Sequence, residues 1–313
     1  MSRIALPVAL TLALACAATA SPAVALTFDL TQIQGDTLSA GEASAFQTAA
    51  AAWSSIFADP ITVNVSIGFR DLGTSGTGGT ILGATSATFV TPSSYAAFEA
   101  LYIADQTSAA DAQAAANLPA TVPGGTVLLT SAEARALGFT TPVGRNDGSI
   151  EFTSNSGIQF ADTRATLNTS NYDLIGIAEH EIAHLLGFDS ALDSSSSFKS
   201  VLDLFRYNAP ATPSFQAGQS AYFSLSGGTT SLASFSVGGS GQYQASHWLQ
   251  GTGGLMDPAV TTGYAQNITP LDVTALDVLG YNVAVAEPAS MLLLASGLLA
   301  LALRRRAVQA GPV

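Results

Sequence analysis

The chain has 313 residues, of which 48% are apolar and only 10% charged, with a formal net charge of −12. So apolar a sequence is not disordered, and so acidic a one has little to neutralise phosphates with, which excludes nucleic acid as a partner. Four of the ten basic residues (Arg3, Arg304, Arg305 and Arg306) lie in the terminal segments, so the intervening part is more acidic still. The one cysteine, Cys16, sits in an N-terminal apolar run. Neither a disulfide framework nor a thiolate metal site is therefore available to the mature chain.

In chain order, Arg3, the apolar run 4–18 and Ser21-Pro22-Ala23-Val24-Ala25 have the layout of a signal peptide. Signal peptidase is expected to cut after Ala25, leaving residues 26–285 as the folded part. Residues 26–33 alternate as a strand does. The stretch 40–58 carries Phe46, Ala50 and Trp53 at helical spacing and stops before Pro60. Strands are expected at 61–69, 81–90 and 126–129, and helices at 93–104, 107–116 and 131–137. The stretch 149–153 reads as a strand following an Asn146-Asp147-Gly148 turn, and as a candidate sheet edge to which a peptide could add as a further strand. Asp147 and Glu151 are acidic, but their spacing is not that of a calcium-binding loop. Residues 26–145 also have room for an inhibitory segment.

A helix is expected over 173–186, capped by Asn171 or Asp173 and ended by Gly187 in a left-handed turn. It carries His180, Glu181 and His184. Residues four apart on a helix lie about 40° apart around the axis, so both imidazoles can reach one metal ion, and nitrogen ligands suit zinc. Glu181 is placed to take a proton from water rather than to bind the metal. This arrangement resembles the HExxH helix of zinc proteases. A catalytic zinc needs a third protein ligand. No glutamate occurs between Glu181 and Glu287, and the position ten after the first histidine is Ser190, leaving Asp189, Asp193 and His247 as candidates.

After His247 comes Gly254-Leu255-Met256-Asp257-Pro258, in which Asp257 can brace the turn. The order of His180 to Gly187, then a distant His247, then Met256 resembles the leishmanolysin-like branch of the metzincins over residues 172–281. The family's cysteines are absent, and this chain is smaller. The resemblance implies an α+β fold of two subdomains, about 26–187 and 188–285, with a twisted sheet, an active-site helix and a Met-turn at Met256. It also implies one catalytic zinc on His180, His184 and His247, and a protein or peptide substrate. Beyond the zinc, no second oxyanion donor stands out; Tyr264 is the nearest tyrosine after the turn.

Ala286-Glu287-Pro288, the apolar run 291–303 and Arg304-Arg305-Arg306 resemble a PEP-CTERM sorting signal over residues 286–313. The run is shorter than a stable membrane span. The resemblance implies transient anchoring in the inner membrane of a Gram-negative bacterium, then cutting by an exosortase-type enzyme and release to the surface. A non-catalytic surface or matrix protein with a vestigial zinc site is the competing expectation, against which the retention of Glu181 argues.

Overall fold

The computed structural model describes residues 25–141, 145–194 and 197–284. Residues 1–24 of the expected signal peptide and the C-terminal segment from 285 onward lie outside the described residues. The elements in chain order are β1 (Thr27–Gln32), α1 (Ala40–Ile56), β2 (Thr62–Arg70), β3 (Gly83–Ala87), β4 (Phe89–Val90), α2 (Tyr95–Ala104), α3 (Ala109–Ala115), β5 (Val127–Thr130), α4 (Ser131–Ala136) and β6 (Gly148–Thr153). There follow β7 (Phe160–Ala161), β8 (Tyr172–Asp173), α5 (Leu174–Leu185), β9 (Lys199–Ser200), β10 (Arg206–Ala209), β11 (Thr212–Pro213), β12 (Tyr222–Phe223), β13 (Ala233–Ser234) and α6 (Pro270–Asp277). The fold is α+β.

The main sheet has the order β1-β2-β6-β3. The first three strands are parallel and β3 runs antiparallel to β6. Val63, Val65 and Ile67 alternate into the core from β2, as do Ile150 and Phe152 from β6. The strand expected at the sheet edge, 149–153, is therefore an inner strand. It is bonded to β2 on one side and to β3 on the other, and β3 is the edge. The alternation that marks a half-buried strand carries no information about which neighbours it has, so that error was built into the pattern.

α1 begins at a capping box, where Ser39 and Glu42 satisfy each other's backbone N–H groups. Its buried residues Ala45, Phe46, Ala49, Ala50 and Trp53 recur at helical spacing. Trp53 stacks on Phe57, and its indole N–H donates to the carbonyl of Glu179 at 2.9 Å, tying α1 to α5. The first strand and helix thus help build the core beneath the helix of interest. α2 is equally integral: Phe98 is fully buried, and the Tyr102 hydroxyl donates to the Val278 carbonyl at 2.7 Å. Both helices are thus tied into the core that carries α5 and α6.

Asp147 accepts two bonds from Arg135 at 2.6 and 2.8 Å, one from Ser131 and one from the Asn64 N–H, while Glu151 pairs with Arg70 at 2.7 Å. Guanidinium ions thus neutralise both carboxylates.

Asp59, Asp105, Asp111 and Asp277 gather where α2 and α3 meet the end of α6. Burial, reinforced by the neighbouring carboxylates, pushes Asp105 up to about 7 and Asp277 up to about 6, although the Ser108 hydroxyl donates to Asp277 at 2.8 Å. A carboxyl whose folded pKa is raised contributes stability that is present below its unfolded pKa of about 4 and is lost as pH rises through the folded value. Asp277→Asn should therefore melt higher than the wild type above about pH 6, by on the order of 2–4 °C. The two should converge towards about pH 4. Melting curves across that range test this, and a variant no more stable than the wild type at neutral pH would refute it.

Candidate metal centre

α5 is apolar nearly all round, as a helix must be when it lies between a sheet edge and other helices, and Leu174, Ala178, Ile182 and Leu185 are fully buried. Asp173 occupies its N-cap position but makes no capping bond, its carboxylate pairing with Arg164 instead. Gly187 ends the helix at φ +112°. The Gly187 N–H donates to His184 and the Phe188 N–H to Ala183, a left-handed close. A Cβ on Gly187 would meet the Glu133 carboxyl at 2.9 Å, so both conformation and space demand glycine. The turn aims the Phe188 carbonyl back at His184 Nδ1, 2.7 Å away.

Each of the three histidines is held in this way. His180 Nδ1 lies 2.8 Å from the Leu255 carbonyl, and His247 Nδ1 lies 3.2 Å from the Gln244 carbonyl. A carbonyl can only accept, so each Nδ1 carries the proton and each Nε2 presents a bare lone pair. The three Nε2 atoms stand 3.1, 3.2 and 3.3 Å apart. With no proton between them these contacts are not hydrogen bonds. They have the dimensions of the edges of a ligand triangle: a tetrahedral ion with metal–nitrogen bonds of about 2.0–2.1 Å has edges of about 3.3–3.4 Å. Burial pushes the imidazoles towards neutrality, His180 down to about 3, His184 to about 4 and His247 well below its usual range, and the neighbouring imidazoles add to this at His180 and His247. Neutral histidine is the metal-binding form. Among the described residues, His180, His184 and His247 are the group that can hold a metal ion.

The structure brings His247, 67 residues away, to the helix pair and uses the other two candidates differently. Asp189 accepts from the Ser246 hydroxyl at 2.7 Å and the Ser190 N–H at 2.9 Å. Asp193 accepts from the N–H groups of Gly239 and Ala245, both at 2.6 Å, which braces the loop leading to His247. Ser190 donates to buried Asp203. Met256 is fully buried, and its carbonyl accepts from the Trp248 N–H at 3.0 Å. Asp257 holds the turn as expected, accepting from Gly251 and Gly253 at 3.0 Å each.

Glu181 is buried beside the triangle. Its Oε2 accepts from the Thr85 hydroxyl at 2.8 Å, and burial raises it to about 7 despite that bond. Gly83 on β3 makes room for it, since a Cβ there would stand 2.7 Å from Oε1. Sequence reasoning missed both Gly83 and Thr85: nothing local distinguishes a cleft-facing glycine or threonine in a short strand. It also missed Asp272, which is fully buried and accepts from the Trp248 indole (2.9 Å), the N–H groups of Leu255 (2.9 Å) and Met256 (3.3 Å), and Thr269. The Thr269-Pro270-Leu271-Asp272 start of α6 is a legible capping box, but the bonds to residues 248–256 are tertiary. Glu181 and the three histidines open into a cleft of about 750 Å³ walled on one side by β3. Tyr172 lines this cleft, whereas Tyr264 is 57% exposed and stands outside the lining.

Residues 284–306 match the PEP-CTERM protein-sorting motif. The chain therefore carries a signal for export and membrane-linked sorting in Gram-negative bacteria, with processing by an exosortase-type enzyme. No helix among the described residues is long and apolar enough to cross a membrane. No curated protein and no solved structure matches the chain.

Removing Asp272 should loosen the carbonyl behind His180 and the tryptophan beside His247 together. Asp272→Ala should lose about 3–5 kcal/mol of stability, the usual cost of stranding several buried donors, and should bind divalent metal more weakly. Denaturant melts and metal titration measure the two effects, and an unchanged midpoint would refute the role given to Asp272.

Proposed function

We propose that this protein is an exported, metzincin-like zinc endopeptidase. The observation that carries the reading is the triangle of three bare Nε2 atoms with a buried carboxylate, Glu181, beside it in an open cleft. Three histidines form the donor set of a catalytic zinc that keeps one position open. A zinc ion held by His180, His184 and His247 supplies Lewis acidity, lowering the pKa of a bound water and polarising a carbonyl. A purely structural metal has no use for an unpaired glutamate at its open side.

The chain's own residues do the rest. The Leu255, Phe188 and Gln244 carbonyls lock the imidazole tautomers and raise their basicity. Glu181 accepts the proton of the attacking water on its carboxylate and returns it to the departing amine nitrogen, ending unchanged. The Thr85 hydroxyl orients that carboxylate. β3 offers an unpaired edge along the cleft, to which an extended peptide can bond as a further strand, bringing one of its carbonyls beside Glu181. Burial of the site strengthens each of these polar interactions.

After dialysis the wild type should retain about one zinc per chain, and His247→Ala should lose most of it. Glu181→Gln should keep its zinc while peptide cleavage falls by about 10²–10⁴-fold. A folded, zinc-loaded wild type that cleaves no member of a mixed peptide library, or a Glu181→Gln variant as active as the wild type, would overturn the proposal.

A further inference from the structure

Charge in the cleft is one-sided. Glu181, Asp189 and Asp257 line it, and no lysine or arginine among the described residues does. Two of these acids are committed. Glu181 is bonded to Thr85 and given to proton transfer. Asp257 uses Oδ2 to hold its turn, and its Oδ1 is buried. Asp189 differs. Its Oδ1 is fixed by Ser246 and by the Ser190 N–H, which sets the plane of the carboxylate, and the residue is partly exposed on the cleft wall. Its Oδ2 accepts no hydrogen bond from a described residue. Asp189 also lies close to the centre of the site: it follows the turn that closes the helix of His184, and Ser246, which holds it, precedes His247.

An oriented carboxylate with one free oxygen, in a cleft that no lysine or arginine lines, is a receptor for a guanidinium or ammonium group. We infer that the cleft selects substrates carrying an arginine or lysine side chain next to the bond cleaved, with Asp189 Oδ2 receiving the cation. This rests on the peptidase reading of the same site. An acidic side chain there meets repulsion from Asp189, and the acidity of the whole chain draws in basic segments from a distance.

The test uses the zinc-loaded exported protein and peptides that differ at one flanking position, arginine against citrulline, its uncharged isostere. The wild type should show a kcat/KM about 10–100-fold higher for arginine, and the ratio should shrink as salt rises from about 0.05 to 0.5 M. Asp189→Asn should bring the ratio to within about threefold while still cleaving the citrulline peptide at the wild-type rate with its zinc retained. An arginine-to-citrulline ratio near one in the wild type at every flanking position overturns the inference, and this arm needs no variant. So does an equal loss on both peptides in Asp189→Asn, because a residue that only positions His247 through Ser246 slows all substrates alike. Failure to cleave any peptide sinks the peptidase reading itself, a result distinct from cleavage without preference.

Discussion

Three neutral imidazoles can converge on one point only if each is held from behind, because their lone pairs repel one another in the absence of a cation. In this protein the holding groups are three backbone carbonyls, and each belongs to a different segment. The Phe188 carbonyl is aimed by the left-handed turn at Gly187. The Leu255 carbonyl is set by Asp272 through the N–H groups of Leu255 and Met256. The Gln244 carbonyl lies on a loop that Asp193 staples at Gly239 and Ala245. The candidate metal centre is therefore as rigid as three separate backbone braces make it.

Carboxylates, most of them buried, do in this chain what disulfides do in many exported domains. The region after α5 is mostly short strands and turns, with little regular hydrogen bonding to satisfy its backbone. Asp203 takes bonds from Ser190, Ala191 and Ser200, Asp257 gathers donors from its own turn, and Asp193 and Asp272 gather them from distant segments. A carboxylate accepting several N–H groups organises the backbone around it. Aromatic packing completes the support: Trp248 lies against Phe188, Phe223 and Phe235. Part of the chain's large formal negative charge is thus internal scaffolding rather than surface.

Burial has opposite consequences for the two kinds of titratable group in the cleft. It drives the histidines towards the neutral, metal-binding form and pushes Glu181 up towards neutrality. A low-dielectric setting that makes the imidazoles good ligands thereby also makes Glu181 a stronger base than an exposed glutamate. The edge strand β3 meets Glu181 through Gly83 and Thr85, and so couples the shape of the cleft to the orientation of that carboxylate.

By itself the sequence determined the helix carrying His180, Glu181 and His184, its glycine stop, the turn around Met256 and Asp257, and the C-terminal sorting signal. All of these are local: helical period, left-handed φ, side-chain-to-backbone bonds within a few residues, and runs of apolar residues flanked by arginine. Only the tertiary structure decided that His247, rather than Asp189 or Asp193, joins the pair. Only it showed that β3 and not the strand at 149–153 forms the sheet edge, and that Gly83, Thr85 and Asp272 serve the site. Each of those depends on which segments meet across 17 to 98 positions of chain, and a sequence pattern with a period of two or 3.6 residues carries no record of partners so far away.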